Sequence, residues 1–535
     1  MKSLIHTLIV VFCSAVSTWA QRGNNFIDIQ HYIFEIEVND TTDVIDGTAT
    51  IRFVTQRHAN HITLELVSKK TDGKGMGIIS VTENGKPLQY IHSNDSIQIH
   101  LSEAAGVGTK TTIQIKYKGV PADGLIIDQN KYGNRTFFSD HWPNRARNWL
   151  PCVDHPSDKA SVEFKITAPL HYQVISNGVM VEKTNLDDKR RFTHYREENA
   201  IPMKVAAVGI ADFAMRVEGE VDHTPVESWV YPEEREKGFY DYSQAVEMFP
   251  FFIKNIGPYP FKKLANIQSK TVFGGMENAG AIFYYENSVT GNRTAERLIA
   301  HEIAHQWFGN TATEADWSHV WLSEGFATYL AILYMEQAHG TDTAADMRII
   351  DRMKAIAFAK QKNTPIIDTT VTDYLDLLNA NSYQKAGWVL HMLRKQLGDS
   401  TFWKCIRTYY NTYKGRNAIT DDFRKIVEEI SGKDYKDFFQ QWMYTAGHPK
   451  LQIDWRYQPK EKQVVVFIEQ MQQKIFDFPI ELKIVGSKPH EEVVSRININ
   501  EKKIQLNIPV NFKPKELLVD PSVDLFFEGS VKQLR

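Results

Sequence analysis

The chain has 535 residues, 42% of them hydrophobic, which is enough to bury several apolar cores. Its 62 Lys and Arg are balanced by 65 Asp and Glu, and the net charge of −3 is spread over well-mixed signs. That balance gives no electrostatic basis for binding nucleic acid or an anionic membrane, and three cysteines are too few for a disulfide framework.

Residues 1–20 read as a secretory signal: Lys2, an apolar run from Leu4 through Phe12, then small residues up to Ala20 before polar Gln21. The run is short for an uncleaved anchor. Cys13 raises a lipid-anchor reading, to which Phe12 directly before it is a poor match. No later segment approaches about 18 consecutive apolar residues. The expectation is an exported chain without stable membrane insertion, periplasmic or extracellular in a bacterium and in the secretory pathway of a eukaryote. Only there would the triplets at Asn39, Asn94, Asn134 and Asn292 matter as glycosylation sites. Cys152 and Cys405 are far apart in sequence and are expected to remain unpaired.

Residues 21–217 form the expected N-terminal β domain. Apolar and polar residues alternate over Tyr32 to Val38, Thr48 to Val54, Thr112 to Tyr117 and Ser161 to Ile166, with Gly, Asn and Asp between the runs. A sandwich-like fold follows from that pattern.

Residues 218–449 turn helical past Pro232. Helices are expected over Phe239 to Ile256, Ala344 to Gln361, Tyr383 to Leu397, Thr401 to Tyr413 and Asp421 to Glu429. Within this region, Val272 to Ala281 reads as an extended segment in which Gly274 and Gly275 let backbone approach a ligand closely. Glu277, taken alone, is more often a paired structural acid than a substrate contact.

His301-Glu302-Ile303-Ala304-His305 follows on a helix. Two histidines four residues apart differ by only about 40° around the axis, so both imidazoles leave one face. The bland reading is a helix with two surface histidines and an ordinary acid. Against it, Leu298, Ile299, Ala300, Ile303, Ala304, Trp307 and Phe308 mark a buried helix, where unpaired ionisable groups are costly. Glu324 opens a second helical stretch after 18 intervening residues, enough for a loop and a return. Two His and one Glu bind zinc and leave one coordination position for water or substrate, the pattern of a catalytic rather than a structural site. Glu302 stands beside them as a base. His319, in the loop between the two helices, reads as a supporting residue rather than a fourth ligand. Residues 450–535 return to strands, at Val464 to Ile468, Ile480 to Val485 and Ile504 to Ile508, and are expected to form a small β-sandwich module.

Gly274-Gly275-Met276-Glu277-Asn278 together with His301, Glu302, His305 and Glu324 resembles the two signature motifs of the M1 zinc aminopeptidases, the gluzincins. Ser382 to Gly387 is similar to the segment carrying that family's catalytic tyrosine, and Asp437 to Pro449 to the end of its catalytic domain. The resemblance implies a multidomain fold with a thermolysin-like, mainly α catalytic domain between the two β domains. It implies one Zn²⁺ per chain held by His301, His305 and Glu324, with Glu302 moving the proton and Tyr383 donating to the oxyanion. Glu277 would bind the α-ammonium of a peptide with a free N-terminus, and Gly274, Gly275, Met276 and Asn278 would line the substrate strand. An exopeptidase acting on short peptides is expected. The alternatives are a thermolysin-like endopeptidase, which has no need of an amine-binding acid, and an inactive peptide-binding protein. Ahead of Ala146-Arg147-Asn148-Trp149-Leu150-Pro151-Cys152-Val153-Asp154, where family members often place Gln or Glu, stands Trp142. Either Asp140 takes over part of the amine binding, or the pocket is aromatic there. The large helical C-terminal domain of many members has no counterpart before Arg535, which suggests a more open cleft.

Overall fold

The computed structural model describes residues 26–534. The signal sequence read over residues 1–20, with Cys13, lies outside them.

The N-terminal region is β-rich, as the alternating pattern requires. An eight-stranded sheet has the order Val179–Asn185, Arg190–Pro202, Lys159–Pro169, Ile27–Glu37, Ile45–Thr55, Lys110–Val120, Gly75–Glu83 and Lys86–Pro87. Ile27–Glu37 and Lys159–Pro169 run parallel, with His31 opposite Ser161. A three-stranded and a four-stranded sheet complete the region. Side chains from all three sheets, among them Phe53, Leu64, Ile97, Phe137 and Ile210, share one core. Alternate residues of a strand face the same side, so a single sequence period delivers them there.

The helical region begins with α1 (Arg235–Tyr242) and α2 (Gln244–Asn255), where the pattern suggested one continuous helix. There follow α3 (Glu296–His305), α4 (Trp321–His339), α5 (Thr341–Gln361), α6 (Ala386–Leu397), α7 (Asp399–Tyr413), α8 (Thr420–Ser431) and α9 (Lys436–Met443). The expectation of a mainly α region is incomplete. A five-stranded sheet in the order Ala214–Val221, Thr224–Val230, Leu264–Ser269, Ala281–Tyr285, Gly275–Met276 supports these helices. Its first strand runs across residue 217. The strands at 264–269 and 281–285 are buried on both faces. Such runs carry no two-residue alternation and cannot be told from a short buried helix by periodicity.

Two packed sheets close the described chain, one of four strands and one of three. Val464, Val466 and Ile468 from one sheet and Ile480, Leu482 and Ile484 from the other belong to the same core as the helices. Among the described residues, no helix is long and apolar enough to cross a membrane. Cys152 and Cys405 are buried and unpaired.

Candidate active site

The zinc-type motif sits where two helices meet end to start. His301 and His305 occupy the last two turns of α3, and Glu324 lies in the first turn of α4. A carboxylate there is favoured by the helix dipole. The helix itself is buried on most sides: from Trp321 through Met335 every residue is buried, which fixes Glu324 in a rigid core element. The return loop between α3 and α4 is tied down by a parallel pairing of Thr313–Glu314 with Asn417–Ala418.

The three candidate ligand atoms lie within 4.8 Å of one another. The two imidazole Nε2 atoms are 3.0 Å apart, and Glu324 Oε2 is 3.4 Å from His301 and 3.2 Å from His305. His305 Nδ1 lies 3.2 Å from the Phe308 carbonyl and 3.0 Å from Ser323 Oγ. A carbonyl only accepts, so Nδ1 carries a proton and Nε2 is the nitrogen left to face His301 and Glu324. Glu324 Oε2 is buried and makes no hydrogen bond of its own. Ligand-type atoms from three side chains therefore converge on one point.

Charge at the site leads to the same point. Burial pushes His301 down to about 4. Burial also acts to lower His305, but the Glu324 carboxylate, with Glu277 and Glu302 behind it, lifts it to about 9. Glu324 is held far below the usual carboxylate range, against its burial, by both histidines. Burial raises Glu302 well above the ordinary range; His305 opposes this and Glu277 and Glu324 add to it. Three acids crowded into one dry site favour positive charge at its centre. The borderline N, N, O donor set suits a divalent ion such as zinc, so the residues fit the metal the motif implies.

Glu302 is buried and reaches under the edge strand Gly275–Met276. A Cβ on Gly275 would lie 2.2 Å from Glu302 Oε1, so only glycine leaves room for this carboxylate. The strand pairs on one side with Ala281–Tyr285 and ends the sheet on its other side. That free edge lies along the cleft and can pair with an extended peptide.

Glu277 follows the strand. Its main-chain carbonyl accepts from Gln306 Nε2 (2.9 Å) and Asn310 Nδ2 (2.6 Å), while its own Oε1 is buried without a hydrogen-bond partner. Gln306 Oε1 also accepts from Gly280 N at 2.8 Å, so one amide holds both ends of the turn. The N-terminal region grips the same turn: Asn177 Nδ2 donates to the Ala279 and Val205 carbonyls, and neighbouring Lys204 forms a buried ion pair with Glu314 at 2.5 Å. Gln306, Asn310, Asn177 and Lys204 did not stand out in the sequence. The one local signal was the four-residue spacing of Gln306 and Asn310 just beyond the end of α3.

Tyr383 lies in a widened helical turn, Asn381–Lys385, in which Lys385 N bonds back five residues to the Ala380 carbonyl. Its ring stacks on His301 with centroids 5.9 Å apart. Burial, with Glu324, Glu277 and Glu302, keeps it a neutral phenol able to donate. These residues line a cleft of 660 Å³ with Trp142, Phe273, Gly274, Met276 and others; Asn278 is buried behind the wall.

The question at Trp142 resolves into an aromatic pocket. Trp142 lines the cleft and packs edge-on against Trp317, while Asp140 is fully buried and fully engaged. Its carboxylate accepts from Arg145, from Thr271 Oγ1 (2.9 Å) and from Val272 N (3.0 Å), which pins the segment leading into the edge strand. His319 bonds Thr420 Oγ1 at 2.8 Å and steadies the start of α8 rather than facing the ligands.

Residues 240–442 match the peptidase family M1 domain, and residues 29–203 match the peptidase M1 N-terminal domain. The chain belongs to peptidase family M1. It is 28% identical over 335 residues to the glutamyl aminopeptidase of Homo sapiens, covering 59% of this chain and 35% of that protein. It is 27% identical over 404 residues to probable aminopeptidase 2 of Sulfurisphaera tokodaii (71% and 50%). To the tricorn protease-interacting factor F2 of Thermoplasma acidophilum it is 26% identical over 411 residues (74% and 51%). The matched part of this M1 chain thus spans between a third and a half of these relatives.

Proposed function

We propose that this M1 chain is an exported, zinc-dependent aminopeptidase that hydrolyses the N-terminal peptide bond of short peptides. The observation that carries the reading is Glu277: a buried carboxylate with one oxygen left unpartnered, in the same cleft as the three ligands. An α-ammonium, with a pKa of about 7.7–8.0, is the natural partner for it. A blocked or internal peptide would leave that acid unpaired, which disfavours an endopeptidase. The signal-like residues 1–20 support export.

His301, His305 and Glu324 would hold the zinc, which when bound supplies Lewis-acid polarisation and a lowered water pKa. The free edge of Gly275–Met276 aligns the substrate backbone, and Glu277 sets its first residue in place. Glu302 accepts the proton of the attacking water and hands it to the departing amine. Tyr383 donates to the oxygen that gains charge as the carbonyl becomes tetrahedral. His305 is kept in its working tautomer by the Phe308 carbonyl.

Two comparisons test the proposal. Aminoacyl-coumarins should be cleaved by zinc-replete enzyme and spared after chelation, and Glu302→Gln should keep the metal while losing about 10²–10⁴ in turnover. Free peptides should outpace their N-acetylated forms, and Glu277→Gln should erase that preference. Equal cleavage of both forms by the unaltered enzyme would favour the endopeptidase instead.

A further inference from the structure

The cleft holds two cations that the proposed chemistry leaves unused, Arg297 and Lys354. Arg297 precedes His301 by four residues on α3, so it shares the ligand face one turn toward the helix start. At a rise of about 1.5 Å per residue it sits roughly 6 Å from His301 along the axis. Glu277 lies at the opposite end, fastened by Gln306 and Asn310 just beyond the last turn of α3. The cleft is therefore polarised along one helix: an acid at one end, the ligands in the middle, cations at the other.

The cations are built into the wall. Asp351 on α5 is buried and takes Arg297 Nη2 at 2.5 Å, which aims the guanidinium while consuming few of its five donors. Lys354, one turn further along α5, is exposed and makes no ion pair among the described residues. Two positive charges against one buried negative leave a surplus of one, which matches a single carboxylate.

We propose that Arg297 and Lys354 bind a substrate carboxylate one or two residues beyond the scissile bond. An extended chain advances about 3.3–3.6 Å per residue, so a 6 Å offset from the ligands falls within that reach. Both the C-terminal carboxylate of a di- or tripeptide and an acidic side chain at that position offer this chemistry. The inference rests on the aminopeptidase reading, which places the amine at Glu277 and so sets the direction of the peptide.

The test measures kcat/KM on zinc-replete enzyme for Leu-Ala-Ala, its C-terminal amide, and the amide Leu-Glu-Ala-NH₂. The free acid should exceed its amide by about tenfold, the scale of one hydrogen bond to a charged group. Recovery with the Glu-containing amide assigns the site to any carboxylate within reach, and no recovery assigns it to the chain end. Arg297→Gln leaves Asp351 buried and unpaired, so the deciding variants are Lys354→Ala and Lys354→Glu on the exposed side chain. The acid-to-amide ratio, read on one enzyme preparation, should fall severalfold in the first and toward or below unity in the second. Cleavage of acid and amide at equal rates by the unaltered enzyme, or a ratio that neither Lys354 variant moves, overturns the inference while leaving the aminopeptidase reading intact. Failure to cleave any of the three peptides overturns both.

Discussion

Replacing Gly275 with alanine isolates the geometry of the proposed general base from everything else in the site. The added Cβ would meet Glu302 Oε1 at 2.2 Å, Cδ at 2.5 Å and Cγ at 2.7 Å. Ordinary contact begins at 3.4 Å, so the carboxylate must retreat by about 1.2 Å. A displacement of about 1 Å in a catalytic group costs on the order of 10²-fold in rate, or about 2.7 kcal/mol of barrier. The three ligand side chains are not among the atoms nearest to this Cβ, so zinc should stay bound. Gly274→Ala is the matched control: its Cβ would have only Leu298 Cδ1 nearby, at 4.0 Å. Turnover of an aminoacyl-coumarin, metal content by emission spectroscopy and thermal midpoint together decide the matter. Gly275→Ala should lose about a hundredfold in kcat at full zinc occupancy, whereas Gly274→Ala, in the cleft wall but clear of Glu302, should act on KM and largely spare kcat. A Gly275→Ala enzyme with unimpaired kcat would falsify the placement of Glu302 as the base.

Tyr383→Phe should lower kcat by about 10²–10³ with little change in KM, since in the proposed mechanism its hydroxyl acts on charge that appears only in the transition state; an effect confined to KM would reassign it to binding. Lys204→Met should destabilise the protein by about 3–5 kcal/mol in urea titration, because Glu314 would stay buried without its cation. The double variant Lys204→Met/Glu314→Leu should recover most of that loss, and failure to do so would mean the pair has no special coupling. Lys263, buried against the Ser176 and Gly178 carbonyls, is pushed down to about 8 by burial, against the pull of Glu227 and Glu197. Its folded-state value lies below its unfolded one, so between about pH 8 and 10.5 the unfolded chain binds the extra proton and stability rises with pH. The stability of the unaltered protein relative to Lys263→Met should therefore improve from pH 8 to pH 10, and a flat difference would refute the shift.

Local periodicity made much of this molecule readable. The alternating strands of the N-terminal region, the two-histidine helix and the Glu324 that follows 18 residues later all depend on spacings within a few turns or one loop. So does Gly275, although its reason for being glycine does not. Buried strands such as Leu264–Ser269 escaped because full burial removes the two-sided contrast that a pattern needs.

The amino-acid order by itself determined which helices carry the candidate ligands, which residue types surround them and where the N-terminal and C-terminal β regions lie, because those features follow from backbone repeat lengths. Tertiary structure alone decided the rest. It turned Asp140 away from the cleft and into Arg145 and Thr271, left Glu277 with an unpaired oxygen, brought Lys204 from a short helical turn of the N-terminal region to Glu314, and lined Arg297 and Lys354 on the far side of the candidate ligands. Each of these depends on side chains distant in sequence sharing a small, dry volume, where one missing partner costs more than any local preference supplies.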